Sequence, residues 1–154
     1  MVHPISPVRP SPIAGTWYSG SPEVLLREIE HFLAEADPSP LEGRVIGLIV
    51  PHAGYRYSGK TAGYAYRCVM GKQVDVCVVV SPLHMAHTAE LLTSAHQYYE
   101  TPLGHVEIDL PLLRDFEHHL FSSSGLTLTE IANDNEHSLE IELPFLQVAL
   151  QDHF

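Results

Sequence analysis

The sequence predicts an α/β fold, a layered sandwich around a central and at least partly parallel sheet. Three observations carry that prediction. Residues 44–50 (RVIGLIV) and 74–80 (VDVCVVV) are short, β-branched and almost continuously apolar, as strands covered on both faces are. Between them Ala62, Ala65, Tyr66 and Val69 recur at helical spacing, giving a β-α-β unit with parallel strands and a right-handed crossover. Upstream, Leu25, Ile29, Phe32, Leu33 and Ala36 share one helical face, opened by Ser21-Pro22 and closed by Asp37-Pro38-Ser39-Pro40.

The remaining elements follow from local signals. Residues 1–12 are rich in proline and lack periodicity, so they predict an extended arm able to lie across a neighbouring surface. Turn residues at Thr101-Pro102-Leu103-Gly104 predict a partial hairpin. Asp109 is placed to cap a helix whose Leu113, Phe116 and Leu120 line one face, stopped by Ser122 to Gly125. Leu126 to Ile131 alternates like a strand. Asn133 followed by Glu136 suggests a capping box, with a helix through Leu139, Leu143, Leu146 and Leu150 that Pro144 kinks.

Composition excludes several classes of function. A chain of 154 residues with 45% hydrophobic content is one domain with a real core. Its formal charge of −11, from 19 acidic and 8 basic residues, repels a phosphate backbone, so nucleic acid is not an expected partner. No apolar run approaches the roughly 20 residues that span a bilayer, and no leader is evident. The expected location is the cytoplasm, with Cys68 and Cys77 as buried free thiols.

Residues 51–61, PHAGYRYSGKT, offer two chemistries. Gly54, Gly59, Lys60 and Thr61 match the phosphate-loop pattern G-x-x-x-x-G-K-[ST]. Against nucleotide binding, Tyr55, Arg56 and Tyr57 crowd a loop that must wrap its backbone around an anion, and the run 74–80 ends without a carboxylate for magnesium. Ordinary turn glycines and a solvated lysine explain the match better.

The histidines make the other case. Ligands of open α/β sheets gather beyond the carboxyl ends of parallel strands. His52 lies two residues past Val50 and His84 four past Val80, so parallel neighbours bring both imidazoles to one edge. Either alone reads as a histidine bonded to a loop carbonyl; together, on loops stiffened by Pro51 and Pro82, they point to a divalent metal. His137, at a helix start that disfavours protonation, is a third participant, able to bind metal or polarise substrate; a local cap contact with Glu136 and Ser138 is the plain alternative. His87 reads as a supporting or merely exposed residue.

The stretches AGTWYSG, PHAGYRYSG, SPLHMAH, ETPLGHVEID and DNEHSLEIELPFLQ, in that order, resemble the Memo-like family, whose prokaryotic members are called AmmeMemoRadiSam system protein B. The resemblance runs from about Arg9 to Leu150. It implies a fold and pocket like those of class III extradiol dioxygenases, with a non-haem metal, iron (Fe2+) or else copper. By the same resemblance His52 and His84 are metal ligands and His137 is the catalytic pocket histidine that carries protons. Trp17, Tyr55, Tyr57, His87 and Glu136 are the residues expected to line or support the pocket.

Two departures from the family pattern stand out. Ser81-Pro82-Leu83 replaces the usual Gly-Pro-Ser or Gly-Pro-Asn before His84. The family also continues well beyond this length and carries a third, cysteine ligand there, so the chain is expected to be a single domain truncated at its C-terminus. The resemblance favours a non-haem metal protein with redox or oxygen chemistry on a small molecule. A binding module that holds a ligand or peptide in a relic metal pocket is the alternative, and a homo-oligomer would supply missing cover.

Overall fold

The structure, a computed structural model, describes residues 5–150. It is a mixed α/β arrangement in which three of the four α-helices among the described residues pack together, with two small sheets. In chain order the elements are β1 (Val8–Arg9), α1 (Pro22–Glu35), α2 (Tyr55–Arg67), β2 (Leu91–Ser94), β3 (Tyr98–Thr101), β4 (Gly104–Glu107), α3 (Leu110–Ser124), β5 (Leu128–Ile131), a 3-10 turn (Glu140–Glu142) and α4 (Leu143–Leu150). Among the described residues no helix is long and apolar enough to cross a membrane.

The core lies where α1, α2 and α4 meet. The apolar face of α1 buries Leu25, Ile29 and Leu33 completely or nearly so, and Ser21 caps it by accepting the Val24 amide, with Pro22 in the first turn. Phe145 of α4 is fully buried, stacked on Tyr66 at 4.9 Å between ring centroids and tilted against Tyr55 at 5.0 Å. Each such side chain contributes about 1.5–3 kcal/mol by leaving water. Helix α1 approaches α2 closely because Gly59 and Gly63 face Phe32: a Cβ at Gly63 would lie 2.7 Å from the Phe32 carbonyl oxygen.

Both sheets contain parallel pairs, though not the expected one. The strand β5 pairs with β2 in parallel, Leu91 opposite Leu128 through Ser94 opposite Ile131. The hairpin predicted around Thr101 to Gly104 forms as β3 and β4, and β1 adds to β3 in parallel. The proline-rich segment is therefore tied to its own chain: the Pro7 carbonyl accepts the amides of Gln97 and Tyr98 at 2.7 and 3.0 Å. Residues 1–4 of that segment lie outside the described residues.

Several expectations need correction. Residues 44–50 and 74–80 run extended but pair with no strand among the described residues, and only one side of each is covered. The Asn133–Glu136 capping box does not form, because the Asn133 amide goes to His96 Nε2 at 3.3 Å and the Glu136 carboxylate turns to other donors. Pro144 does not kink a helix; it occupies the first turn of α4, after the 3-10 turn, where its missing amide costs nothing. The caps of α3 are as expected, with Asp109 accepting the Leu112 amide and Gly125 left-handed at φ 74°, yet none of its residues is buried and Phe116 is 52% exposed. Cys68 and Cys77 are free thiols, each only partly buried.

Candidate functional site

Three loops converge on one place. The first follows residues 44–50 and carries His52 into Gly54, the residue before α2. Gly54 is needed there because the turn bearing Trp17 comes so close: a Cβ would sit 3.2 Å from the Trp17 carbonyl oxygen, which accepts the Tyr55 amide at 2.9 Å. The Trp17 turn is itself held by amides of Thr16 and Trp17 on the Ile13 carbonyl and by Gly15 at φ 80°. The second loop follows residues 74–80 and carries His84. The third, residues 132–138, carries Glu136 and His137.

The imidazoles face one another. Ring centroids of His52 and His84 are 5.3 Å apart, His84 and His137 are stacked at 4.6 Å, and His52 and His137 are 6.2 Å apart. Trp17 lies against His137 at 4.1 Å. Among the described residues, His84, Glu136 and His137 each offer a ligand atom, all within 4.8 Å of one another, as a metal site requires.

Glu136 organises this group. Its Oε1 accepts the amides of His137 at 2.8 Å and Ser138 at 2.9 Å and lies 2.9 Å from His84 Nδ1; its Oε2 accepts the His84 amide. Although partial burial works the other way, these donors hold the carboxyl far below the ordinary glutamate range. A carboxylate beside Nδ1 is the arrangement that, in a neutral His84 ring, favours the Nδ1–H tautomer and turns the Nε2 lone pair toward a metal. The Ser138 hydroxyl donates to the Pro82 carbonyl, fastening the second loop to the third.

His137 titrates below the usual histidine value, first because burial disfavours its charge and then because His84 and His52 lie nearby, with Glu136 acting the other way. It sits ahead of the 3-10 turn rather than within a helix, so burial, not a helix dipole, keeps it neutral.

The other sequence candidates separate clearly. An open cleft of about 470 Å³ is lined by Trp17, Val50, Pro51, His52, Ala53 and His137. Tyr55 is buried in the core, its hydroxyl donating to the Ile141 carbonyl at 2.9 Å, and Tyr57 is 81% exposed, so neither lines this cleft. His87 is exposed and its Nδ1 accepts the Ala89 amide two residues on, a local turn contact. The phosphate-loop pattern falls inside α2: residues 55–61 are helical, the Tyr55 amide goes to the Trp17 carbonyl, the Tyr57 and Ser58 amides go to the Gly54 carbonyl, and Lys60 lies 4.0 Å from Glu35. No loop remains to cradle a phosphate.

The sequence reading missed the support beneath the third loop. Arg9 is 2% exposed and donates to both oxygens of Asp134, to Glu140 Oε2 and to the Glu136 carbonyl. Asp134 in turn accepts the Glu136 amide at 3.0 Å, and Glu140 Oε1 takes the hydroxyls of Ser11 and Tyr18. The partners of Arg9, Asp134 and Glu140, lie 125 and 131 residues away, so no local pattern signals the contact.

Comparison with known proteins identifies the family. A family model described as Memo-like protein matches residues 9–154. The chain is 35% identical over 147 residues to a MEMO1 family protein of Methanothermobacter thermautotrophicus, covering 91% of this chain and 52% of that protein. It is 34% identical over 157 residues to one of Pyrobaculum aerophilum, covering 94% and 53%, and 31% identical over 151 residues to one of Saccharomyces cerevisiae, covering 94% and 44%. The chain spans about half the length of the curated relatives it matches. With a family model matched along nearly its whole length, the chain belongs to the Memo-like family.

Proposed function

We propose that this chain carries a divalent metal, with His52 and His84 as ligands, Glu136 as the carboxylate that orients His84, and His137 as the neutral base beside them. The observation that supports this most directly is the meeting of three imidazole rings, 4.6 to 6.2 Å apart, over a carboxylate already bonded to one of them. Glu136 could instead coordinate directly, but both its oxygens already accept hydrogen bonds, which favours the orienting role.

Imidazole with carboxylate support fits non-haem iron, Fe2+; copper is the alternative where a thiolate joins. Neither Cys68 nor Cys77 is a member of the ligand cluster described above. Bound iron would supply a Lewis-acid and redox centre for oxygen chemistry, in a sandwich of the class III extradiol dioxygenase kind. The residues of this chain would do the rest. Trp17, Val50, Pro51 and Ala53 shelter the apolar part of a small ligand, while His137 Nδ1 or Nε2 accepts a proton from its polar end.

The cleft favours a second reading on its own, because its walls apart from His52 and His137 are apolar. A module that only binds a ligand or peptide needs no more than that. The two readings separate on oxygen consumption with catechols, measured alongside metal content. For the metal itself, His52→Ala should abolish uptake in elemental analysis and Glu136→Gln should weaken affinity about 10- to 100-fold, as loss of an orienting partner does. Lys60→Ala should change nothing. Equal metal content in wild type and His52→Ala would overturn the proposal.

A further inference from the structure

The third loop of the histidine cluster has no regular structure of its own. Residues 132–137 belong to no helix or strand, so whatever fixes the Glu136 carboxylate has to come from side chains. The placement has little tolerance: Glu136 Oε1 lies 2.9 Å from His84 Nδ1, and a displacement of about 1 Å takes such a contact out of hydrogen-bond range. Both backbone groups of Glu136 lead to one residue. Its carbonyl accepts directly from Arg9 Nη2 at 2.5 Å, and its amide donates at 3.0 Å to Asp134 Oδ1, the same oxygen that Arg9 Nη2 holds at 2.7 Å. Arg9 Nη1 is anchored in turn on Glu140 Oε2 at 2.8 Å, beyond the far end of the loop.

Charge neutralisation alone does not require this arrangement. An ammonium could balance Asp134 and Glu140, whereas contact with both acids and the Glu136 carbonyl at once needs the planar fork of a guanidinium. The start of the loop is tied to the same N-terminal segment: His96, 1% exposed, donates from Nδ1 to the Ser6 carbonyl at 2.7 Å and accepts the Asn133 amide on Nε2 at 3.3 Å. The turn bearing Trp17 shares the anchor, because the Tyr18 hydroxyl donates to Glu140 Oε1 at 2.8 Å. We infer that Arg9 is a positioning residue of the histidine cluster: its side chain donates to Asp134, Glu140 and the Glu136 carbonyl rather than to an imidazole, and it sets the place of the Glu136 carboxylate and through it the orientation of His84. The consequence for metal affinity rests on the metal site proposed above; the effect on the contact between Glu136 and His84 does not.

Two measurements test this, and one needs no metal. In the metal-free chain the amides of His84, His137 and Ser138 all donate to the Glu136 carboxylate. Their hydrogen exchange should accelerate about tenfold in Arg9→Lys, and by more than that of the core amides of Ile29 and Leu33. Gly63→Ala, which crowds α2 against Phe32 instead, controls for lost stability and should accelerate them by no more than those core amides. Asp134→Asn leaves Arg9 paired with Glu140 but weakens the hold on the Glu136 amide, and should act in the same direction even if Arg9→Lys does not fold. Fe2+ affinity, measured anaerobically by competition with a chromogenic chelator, should fall about tenfold in Arg9→Lys and change less than about twofold in Gly63→Ala. In a Glu136→Gln background the further loss on Arg9→Lys should be less than about twofold, because the group it acts through is already altered. Unchanged exchange at the three amides in Arg9→Lys and Asp134→Asn would overturn the inference, as would an undiminished effect of Arg9→Lys in the Glu136→Gln background. A wild-type chain that takes no Fe2+ would overturn the metal site instead, with the exchange measurement still deciding on Arg9.

Discussion

Arg9 donates four hydrogen bonds from a nearly sealed position, and its partners Asp134 and Glu140 lie 125 and 131 residues away in the chain. Removing it would leave two buried carboxylates, 9% and 0% exposed, without their cation. Breaking a buried pair from one side costs about 3–5 kcal/mol, so Arg9→Ala should lower stability in urea unfolding by that order. Arg9→Lys keeps the charge but loses the planar fork that reaches Asp134, Glu140 and the Glu136 carbonyl together, and should recover only part of the loss. This residue shows what was legible at the site and what was not. That His52 and His84 come close together could be read because each follows an apolar run by a few residues, a relation contained in local sequence. Glu136 and His137 stood in one short segment with them in view. Arg9 could not be assigned, because its role arises from a contact across almost the whole chain, and nothing in the proline-rich arm distinguishes a buried arginine from a solvated one.

Among the elements, sequence patterns succeeded where a local rule decides the outcome. The spacing of Leu25, Ile29 and Leu33 and the cap at Ser21 are sufficient for α1, and Asp109 with Gly125 is sufficient for the bounds of α3. Which residues of α3 are covered depends on neighbours: Leu113 and Leu120 are partly buried, whereas Phe116 on the same face is exposed. The runs 44–50 and 74–80 were read as covered on both faces from composition alone, but composition records capacity for burial rather than the presence of a partner strand. Gly59 is expected from sequence to be a turn glycine, but it lies within α2 and its physical role is helix packing against Phe32. That role is testable at Gly63, one turn further along α2. A methyl there meets the Phe32 backbone at 2.7 Å and cannot be relieved by turning a side chain. Alanine gains up to about 1 kcal/mol of helix propensity over glycine, yet overpacking costs roughly 1–3 kcal/mol. Gly63→Ala should therefore be net destabilising by thermal denaturation, whereas an exposed helical glycine would be stabilised by the same change.

For the whole molecule, the pH dependence of stability follows from groups buried on opposite terms. Glu136 and Asp134 are held below the ordinary carboxylate range in the folded chain; for both, burial works the other way and is outweighed by hydrogen bonds, to Glu136 from His84, Ser138 and His137 and to Asp134 from Arg9. Their contributions are complete above about pH 4.5 and are lost as pH falls through the folded-state values. Glu142 runs the other way. It is 5% exposed in the core and its carboxyl is pushed up to about 7 by burial, which the Tyr66 hydroxyl, 2.7 Å away, only partly offsets. The folded chain thus binds this proton more tightly than the unfolded one, so its contribution is complete below about pH 4.5 and disappears as pH rises toward about 7. A difference of this size corresponds to roughly 3 kcal/mol. Glu142→Gln keeps the side-chain oxygen that accepts from Tyr66 but has no proton to lose. Stability of this variant should exceed wild type at pH 8, with a melting temperature higher by several degrees at about 2–4 °C per kcal/mol, and converge with it near pH 4. A gap that is the same at both pH values would mean that the core carboxyl does not titrate between them, and one that widens on acidification would reverse the sign of its burial cost.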